Sequence, residues 1–460
     1  MFAKHWSATD THAPSDRPRA AERSREVATG VYVLVVLTAG AYLPSPLYPG
    51  YQQAFGADDL VMTLTYATFA LVSAPALLLF GPASDALGPV PVLRMSVAVA
   101  AVGSACFALA SGPVWLIAGR AAQGLALGAA TGAAGALISA RGSASGGRQA
   151  TVLASTAFVA GTAAGPIAAG LLAEYAPAPH TLPFALHLAL LWVGWRRVSA
   201  LAGTPGSRMR RWRPTRPQIP AAIRPHFTAA ALTGFLAWTA AGLFLSVIPA
   251  LLDRADHGHA DQSNPAVIGG VLGTVLICSV ITQRPVTALG AWNAQLAGLA
   301  AVFASLVLLA LSAGGSMALT LAAAVVAGAG HGLAYGGAAA AVEEAVPEDR
   351  RGAVTGALYL AFYLGAGLPA IAIGLITLAT PLATATTWVT AAAALLVPVA
   401  AAAVVSVRRV RRRGPGSAVT PSPWRRPRPG LLLRGGPHGR RRPRGRIRPP
   451  SAARGRRRCR

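Results

Sequence analysis

Lysine is nearly absent: Lys4 is the only one among 41 basic residues, and arginine supplies the rest. Charge of either sign is scarce, at 12% of 460 residues, where soluble domains carry about a quarter. That scarcity excludes an ordinary soluble enzyme, and the wealth of apolar sequence excludes disorder over most of the chain. Acids are missing altogether between 408 and 460, and none lies well inside a long apolar run. Cysteine is rare too. Cys106, Cys278 and Cys459 stand far apart without CxxC or Cys/His spacing, which excludes a disulfide framework and a zinc site. There is no GxxxxGKS or GxxxxGKT phosphate loop, so an ATP-driven pump is excluded. An HExxH or paired acids within the apolar runs, which an embedded enzyme would need, are also lacking, so the chain reads as no enzyme and calls for no cofactor.

What is present is hydrophobic length. The chain is 53% hydrophobic, with a mean hydropathy of +0.49. A helix needs about 20 apolar residues to cross about 30 Å of hydrocarbon. Twelve runs approach that length: 29–50, 60–80, 91–111, 114–139, 151–173, 181–198, 226–252, 266–283, 286–312, 316–341, 352–379 and 385–407. The sixth and eighth are short. The first is too long for a cleaved signal segment and reads as a retained span.

The formal charge of +26 would suggest nucleic acid if it were spread over the chain. Its distribution says otherwise. The tail 408–460 holds 20 arginines and no acid, and the other 407 residues carry a net +6. If the N-terminus is cytoplasmic, the inside segments collect 39 of the 41 basic residues, Arg254 alone falls outside, and Arg120 lies within a span. That asymmetry obeys the positive-inside rule and would be scrambled by a missed span. The expected fold is thus an all-α integral membrane protein of 12 transmembrane helices with both termini cytoplasmic.

The expected divisions are a cytoplasmic segment 1–28, a six-helix bundle 29–198, an Arg/Pro-rich linker 199–225, a second six-helix bundle 226–407 and a disordered Arg-rich tail 408–460. The tail suits contact with anionic lipid heads. Its other readings are unspecific nucleic-acid contact, or an extension without function, even one read in a shifted frame. No nucleic-acid partner is expected for the protein as a whole.

The two halves repeat each other. Gln123-Gly124-Leu125-Ala126-Leu127-Gly128 matches His331-Gly332-Leu333-Ala334-Tyr335-Gly336 at an offset of 208. Ala157-Phe158 and Gly161 match Ala361-Phe362 and Gly365 at 204, and Pro166 matches Pro369, as Pro46 matches Pro249, at 203. Four features in order at nearly one offset indicate a parallel duplication, giving pseudo-symmetric bundles.

Three local motifs add a family resemblance over about 29–407. Gly81-x3-Asp85-x2-Gly88 resembles the loop motif after the second span of the major facilitator superfamily (MFS), without its arginines: Ala86, Pro89 and Val90 stand there, and Arg94 follows. Arg120-x2-Gln123-Gly124-x3-Gly128 is similar to the family's span-four motif. Gly161-x3-Gly165-Pro166-x3-Gly170 is similar to the glycine-proline motif of its proton-coupled drug exporters, and Gly367-x-Pro369 is its counterpart in the other half.

The resemblance implies a monomeric transporter of the cell membrane that exports small amphipathic, drug-like compounds in exchange for protons. An importer or a uniporter of a small metabolite is the alternative. It also implies that spans one, four, seven and ten line the cavity, making Tyr42, Arg120, Gln123, Phe235, Trp238, His331 and Tyr335 the substrate candidates. Gly81, Asp85 and Gly88 would form the conformational switch. Physics singles out Arg120: a charge within a span is costly and must meet an anion, water or a polar partner. Its spacing to Gln123 and Gly124 puts all three on one helix face. His331 reads first as a neutral histidine hydrogen-bonded between helices, and secondly as a proton carrier.

Overall fold

The computed structural model of the chain describes residues 16–139, 146–201, 219–256, 264–313, 315–346 and 351–413. The first part of the N-terminal segment, most of the linker and the tail from 414 lie outside these ranges. Every regular element among the described residues is helical.

The twelve long helices are α1 (Asp16–Tyr42), α2 (Asp59–Leu87), α3 (Pro89–Ala108), α4 (Pro113–Ser139), α5 (Gly146–Tyr175), α6 (Leu182–Ser199), α7 (Arg224–Ser246), α8 (Pro265–Gln283), α9 (Ala291–Ser312), α10 (Met317–Ala345), α11 (Arg351–Ile376) and α12 (Leu382–Arg413). Alanine and leucine dominate them and are strong helix formers. Their starts are marked chemically. Asp58 accepts from the Val61 amide at 2.8 Å to cap α2, and Asn264 accepts from the Val267 amide at 3.0 Å to cap α8.

The ends differ from the expected spans in two places. Helix α1 begins at Asp16, ahead of the expected 29, and α12 runs to Arg413, past the expected 407. Polar turns continue both helices beyond their apolar stretches. Eleven helices among the described residues are long and apolar enough to cross a membrane. Helix α6, at the place of the sixth expected span, falls short in composition because Arg196 and Arg197 occupy its last turn.

Prolines break two helices at matching places. After α1, Ser45–Leu47 forms a 3-10 turn and Tyr48–Phe55 a short helix, with Pro44 and Pro46 in the join. After α7, Ile248–Asp256 forms the corresponding short helix with Pro249 near its start. Proline lacks the amide that the helix would use, so the preceding turn loses hydrogen bonds.

The duplication seen in the sequence is also a duplication of contacts. Within the first half, α4 lies on α2: a Cβ on Gly124 would come 2.6 Å from the Phe69 carbonyl oxygen, and one on Gly128 2.7 Å from that of Ser73. In the second half α10 lies on α8, where Gly328 and Gly332 face the carbonyls of Val275 and Ser279. Gly132, four residues further along α4, is exposed. Between halves, α5 packs on α8 and α11 packs on α2. Only missing side chains permit such approach of backbones.

The outer surface is apolar: Trp192, Leu311, Leu395 and Val399 are all exposed. In water such a surface would drive association, and in a bilayer it is the lipid face. Trp115, Trp195 and Trp388, at helix ends, are exposed as interfacial residues should be.

Candidate functional site: the interface between the two halves

The polar centre of the first half begins with the break in α1. Pro44 has no amide to offer the Gly40 carbonyl four residues back. The side chain of Gln123 fills that role, its Nε2 donating to Gly40 O at 3.0 Å. Arg120 Nη1 donates to the neighbouring Ala41 carbonyl and, at 3.1 Å, to Gln123 Oε1. Two residues one turn apart on α4 thus hold the frayed end of α1. Arg120 is 0% exposed. Its guanidinium lies 4.6 Å from the centre of the Phe69 ring and 5.6 Å from that of Tyr66, both on α2. A ring face attracts a cation, which offsets part of the cost of burial. Tyr42 meets Phe69 edge to face at 6.0 Å.

In the second half, His331 stands where Gln123 stands in the first. Its Nδ1 shares a 2.7 Å hydrogen bond with Ser279 Oγ on α8, a bond between helices. Trp238 on α7 meets the imidazole edge to face at 4.7 Å, Tyr335 stacks on it at 5.5 Å, and the Trp238 and Tyr335 rings themselves meet at 6.2 Å. Tyr335 bonds Tyr359 of α11 at 2.8 Å and touches Phe362. Trp238 Nε1 and His331 Nε2 are buried and have no hydrogen-bond partner among the described residues.

The two centres are joined through Phe69 and Tyr363, whose rings lie 6.3 Å apart across the interface of α2 and α11. Of the expected cavity residues, Tyr42, Arg120 and Gln123 come together in one half, and Trp238, His331 and Tyr335 in the other. Phe235 joins neither cluster. It is half-buried at the packing of α7 on α11, where Thr239 donates to its carbonyl at 3.0 Å. His187 is a satisfied core residue bonded to Ser104 at 2.6 Å and Val36 O at 3.0 Å.

Tyr66, Phe69, Tyr359, Phe362 and Tyr363 were not legible as site residues, because attention to spans one, four, seven and ten passes over α2 and α11. The signal was available: Tyr359, Phe362 and Tyr363 sit at i, i+3 and i+4 and are the only aromatic residues of α11.

The glycine-proline motif of α5 works on two sides. Gly161 and Gly165 press on the α1 backbone at Val35 and Ala39, within the half. Pro166 and Gly170 meet Gly269 and Pro265 of α8, across the halves. In α11, Gly365 presses on Phe235 of α7, and Gly367 faces Ala70 of α2. Pro369, like Pro166, lies inside its helix.

Of the expected switch residues, Gly88 is the one-residue join of α2 and α3, at φ +87°. Gly290 repeats it before α9 at φ +76°. Both conformations favour glycine. Gly81 and Asp85 lie in the α2 backbone, and their surroundings fall outside the described part. Arg94, the residue nearest to the motif's missing arginines, donates to Ser199 O at 3.2 Å at the end of α6.

A polar clasp joins the halves at the end where the two short helices meet. Arg254 pairs with Asp59, which also accepts from Gln52 at 2.8 Å, and Gln53 bonds Asp253 at 3.4 Å. A pocket of about 270 Å³ lies there, lined by Pro49, Gln52, Gln53, Asp253 and Arg254. Nearby, His180 packs its ring 4.7 Å from that of Tyr51, and burial pushes its pKa below the ordinary histidine value. No group of three or more metal-ligating side chains occurs among the described residues.

The sequence model of the Major Facilitator Superfamily matches residues 31–370. Among solved structures, the chain is similar to a bacterial homolog of the human lysosomal transporter Spinster, inward-facing and unoccupied. Identity is 14%, the TM-score is 0.64, and 84% of this chain and 97% of that one are covered. It is also similar to a mutant of the nucleoside transporter NupG, at 12% identity and a TM-score of 0.65, covering 83% and 99%. These likenesses are of fold. No curated protein sequence matches the chain.

Proposed function

The chain belongs to the major facilitator superfamily of membrane transporters, and from that membership we propose that it exports small amphipathic compounds in exchange for protons. Access would alternate by rocking one six-helix bundle against the other, with substrate held between the polar centres. Helix α6 is then the twelfth span, both termini are cytoplasmic, the host is the cell membrane, and the working unit is a monomer. The clasp of Arg254 and Asp59 lies on the outer face, and the tail beyond 413 touches anionic lipid on the inner one.

The observation that carries alternating access is the two-sided packing of the Gly161–Gly170 motif, and export is read from that motif's likeness to the family's exporters. One helix bears on α1 within its own half and on α8 of the other, through contacts that small residues keep smooth. A bundle that rocks needs such a bearing. The acids Asp59, Glu174, Glu343 and Glu344 sit at helix ends, outside the apolar centres of their helices. A facilitator or importer of a small metabolite is the second reading, favoured by that same scarcity of embedded carboxylates.

Inverted membrane vesicles carrying the protein, energised and loaded with a pH dye, test the proposal. Addition of a transported compound should discharge the gradient. Transport that continues at full speed after the gradient is collapsed would sink proton exchange and leave the facilitator.

A further inference from the structure

We propose that the end of α6 binds the phosphate headgroup of an anionic phospholipid, held by Arg94, Arg196 and Arg197, with the acyl chains on the exposed face of α6. The inference needs α6 to lie in the bilayer as the twelfth span. It is independent of what is carried and in which direction. Helix α6 is the long helix whose composition falls short of a span, and Arg196 and Arg197 in its last turn are the reason.

Three arginines from two helices gather there. Arg94 of α3 donates from Nη2 to the carbonyl of Ser199, the last residue of α6, at 3.2 Å. Arg196 and Arg197 stand three and two residues before it. Rings steady both of them. The Arg196 guanidinium lies 5.4 Å from the centre of the Trp192 ring, and that of Arg197 4.8 Å from the centre of the Tyr32 ring on α1. Tyr32 in turn donates to the Leu190 carbonyl at 3.0 Å, which ties α1 to α6. A ring face draws a cation without using its N–H groups, and each guanidinium has five. Among the described residues, Arg94 Nε is buried without a hydrogen-bond partner, and no acid pairs with any of the three arginines. Glu22 and Glu26 share a helix with Tyr32 and form no ion pair with them.

Leu186, Leu190 and Val193 are exposed and run at helical spacing to Arg197, and Trp192 leads in the same way to Arg196. An apolar stripe that ends in a cation matches a lipid, whose chains and headgroup follow in that order. Basic sites between helices at a membrane surface take such headgroups. Two simpler roles need charge alone: orienting the chain in the membrane and complementing the helix C-terminus. Lysine would serve both. It would not give the forked donors that grip two phosphate oxygens at once.

The full-length protein in nanodiscs tests it, with chain-brominated phosphatidylglycerol or phosphatidylcholine as a growing fraction of the lipid. Bromine quenches a tryptophan that it touches, and Trp192 and Trp195 are exposed beside the site. At equal low fraction phosphatidylglycerol should quench more than phosphatidylcholine, and Trp192→Phe with Trp195→Phe should remove that excess. Arg196→Gln or Arg197→Gln should raise the half-saturating fraction about fivefold. Arg196→Lys with Arg197→Lys keeps the charge and should still raise it about threefold. Millimolar inorganic phosphate should leave the excess in place, because it has no chains to bury. If the glutamine variants do not insert, the lysine variant decides. An excess that survives the substitutions, or that free phosphate abolishes, overturns the inference. Equal quenching by both lipids overturns it at the headgroup, and quenching of Trp192 by neither overturns it at the placement of α6. Binding is read without flux, so none of these outcomes touches the exchange reading.

Discussion

The halves of the molecule use one scaffold around two different centres. In the first, Arg120 and Gln123 reach from α4 to the carbonyls of Gly40 and Ala41 at the proline break of α1. In the second, the position of Gln123 holds His331, which bonds Ser279 of α8 and packs against both Trp238 and Tyr335. The glycines beside these residues, Gly124 and Gly332, do the same work in both halves, each meeting the backbone of the next helix but one. Packing between backbones admits only the smallest side chain, so the repeat is kept there. The polar positions answer to local backbone and to whatever is bound, so the halves part company there.

Four experiments break or sharpen that comparison. The largest effect should come from crowding the shared ridges. Gly124→Leu and Gly332→Leu put a side chain into carbonyl oxygens that a bare Cβ would already touch. Each should cost about 3 kcal/mol, at the upper end for overpacking. Both should reduce the yield of monodisperse protein by size-exclusion chromatography, and a large effect in only one half would contradict the equivalence.

Next comes the difference between the centres. Arg120→Ala strips the Ala41 carbonyl and Gln123 of a charged donor, and initial transport rates should fall about 10- to 100-fold. His331→Ala removes one neutral bond, and the fall should stay within about tenfold. Rates per folded transporter in vesicles check this, and equal losses would erase the distinction drawn between the halves.

The clasp should matter less. Arg254 and Asp59 are partly solvent-exposed, and exposed pairs contribute about 0.2–1 kcal/mol. Arg254→Ala should raise labelling of a Gln53→Cys probe by a membrane-impermeant maleimide about two- to fivefold, with the native cysteines removed. High salt should reproduce part of the rise in the protein with Arg254 intact. No change in either case would show that the clasp does not bias the outer end.

The smallest effect should be that of His180. Its folded pKa is depressed by burial, so as pH falls the unfolded chain takes the proton first, at about 6.5. The stability is present above that value and is lost as pH falls from there towards the folded pKa. The melting midpoint should drop between about pH 7.5 and 5.5, and His180→Gln should flatten that drop. An identical pH profile in the variant would remove His180 from the account.

Much of the fold was legible because a bilayer imposes it. Length and apolarity located the helices. Gly161, Gly165 and Pro166 stood out because small residues and prolines recur with the duplication. The exception in the count was α6, whose Arg196 and Arg197 dilute its apolar composition. The site was legible in part. Arg120 and His331 were conspicuous as polar groups in apolar runs, but Tyr363 and Phe69, 294 positions apart, gave no sign of meeting. Phe235, named with Arg120 and His331 from the sequence, meets α11 through its backbone, against Gly365.

The sequence by itself determined that this protein lives in a membrane, where its long apolar helices run and that its halves are copies. Each of those follows from local composition or from spacing along the chain. Tertiary structure alone decided that Gln123 mends the gap left by Pro44, that α5 bears on both halves, and that Arg254, the one basic residue expected outside, grips Asp59 across them. These are meetings of residues far apart in sequence. No local propensity encodes them, and they exist only once the helices have packed.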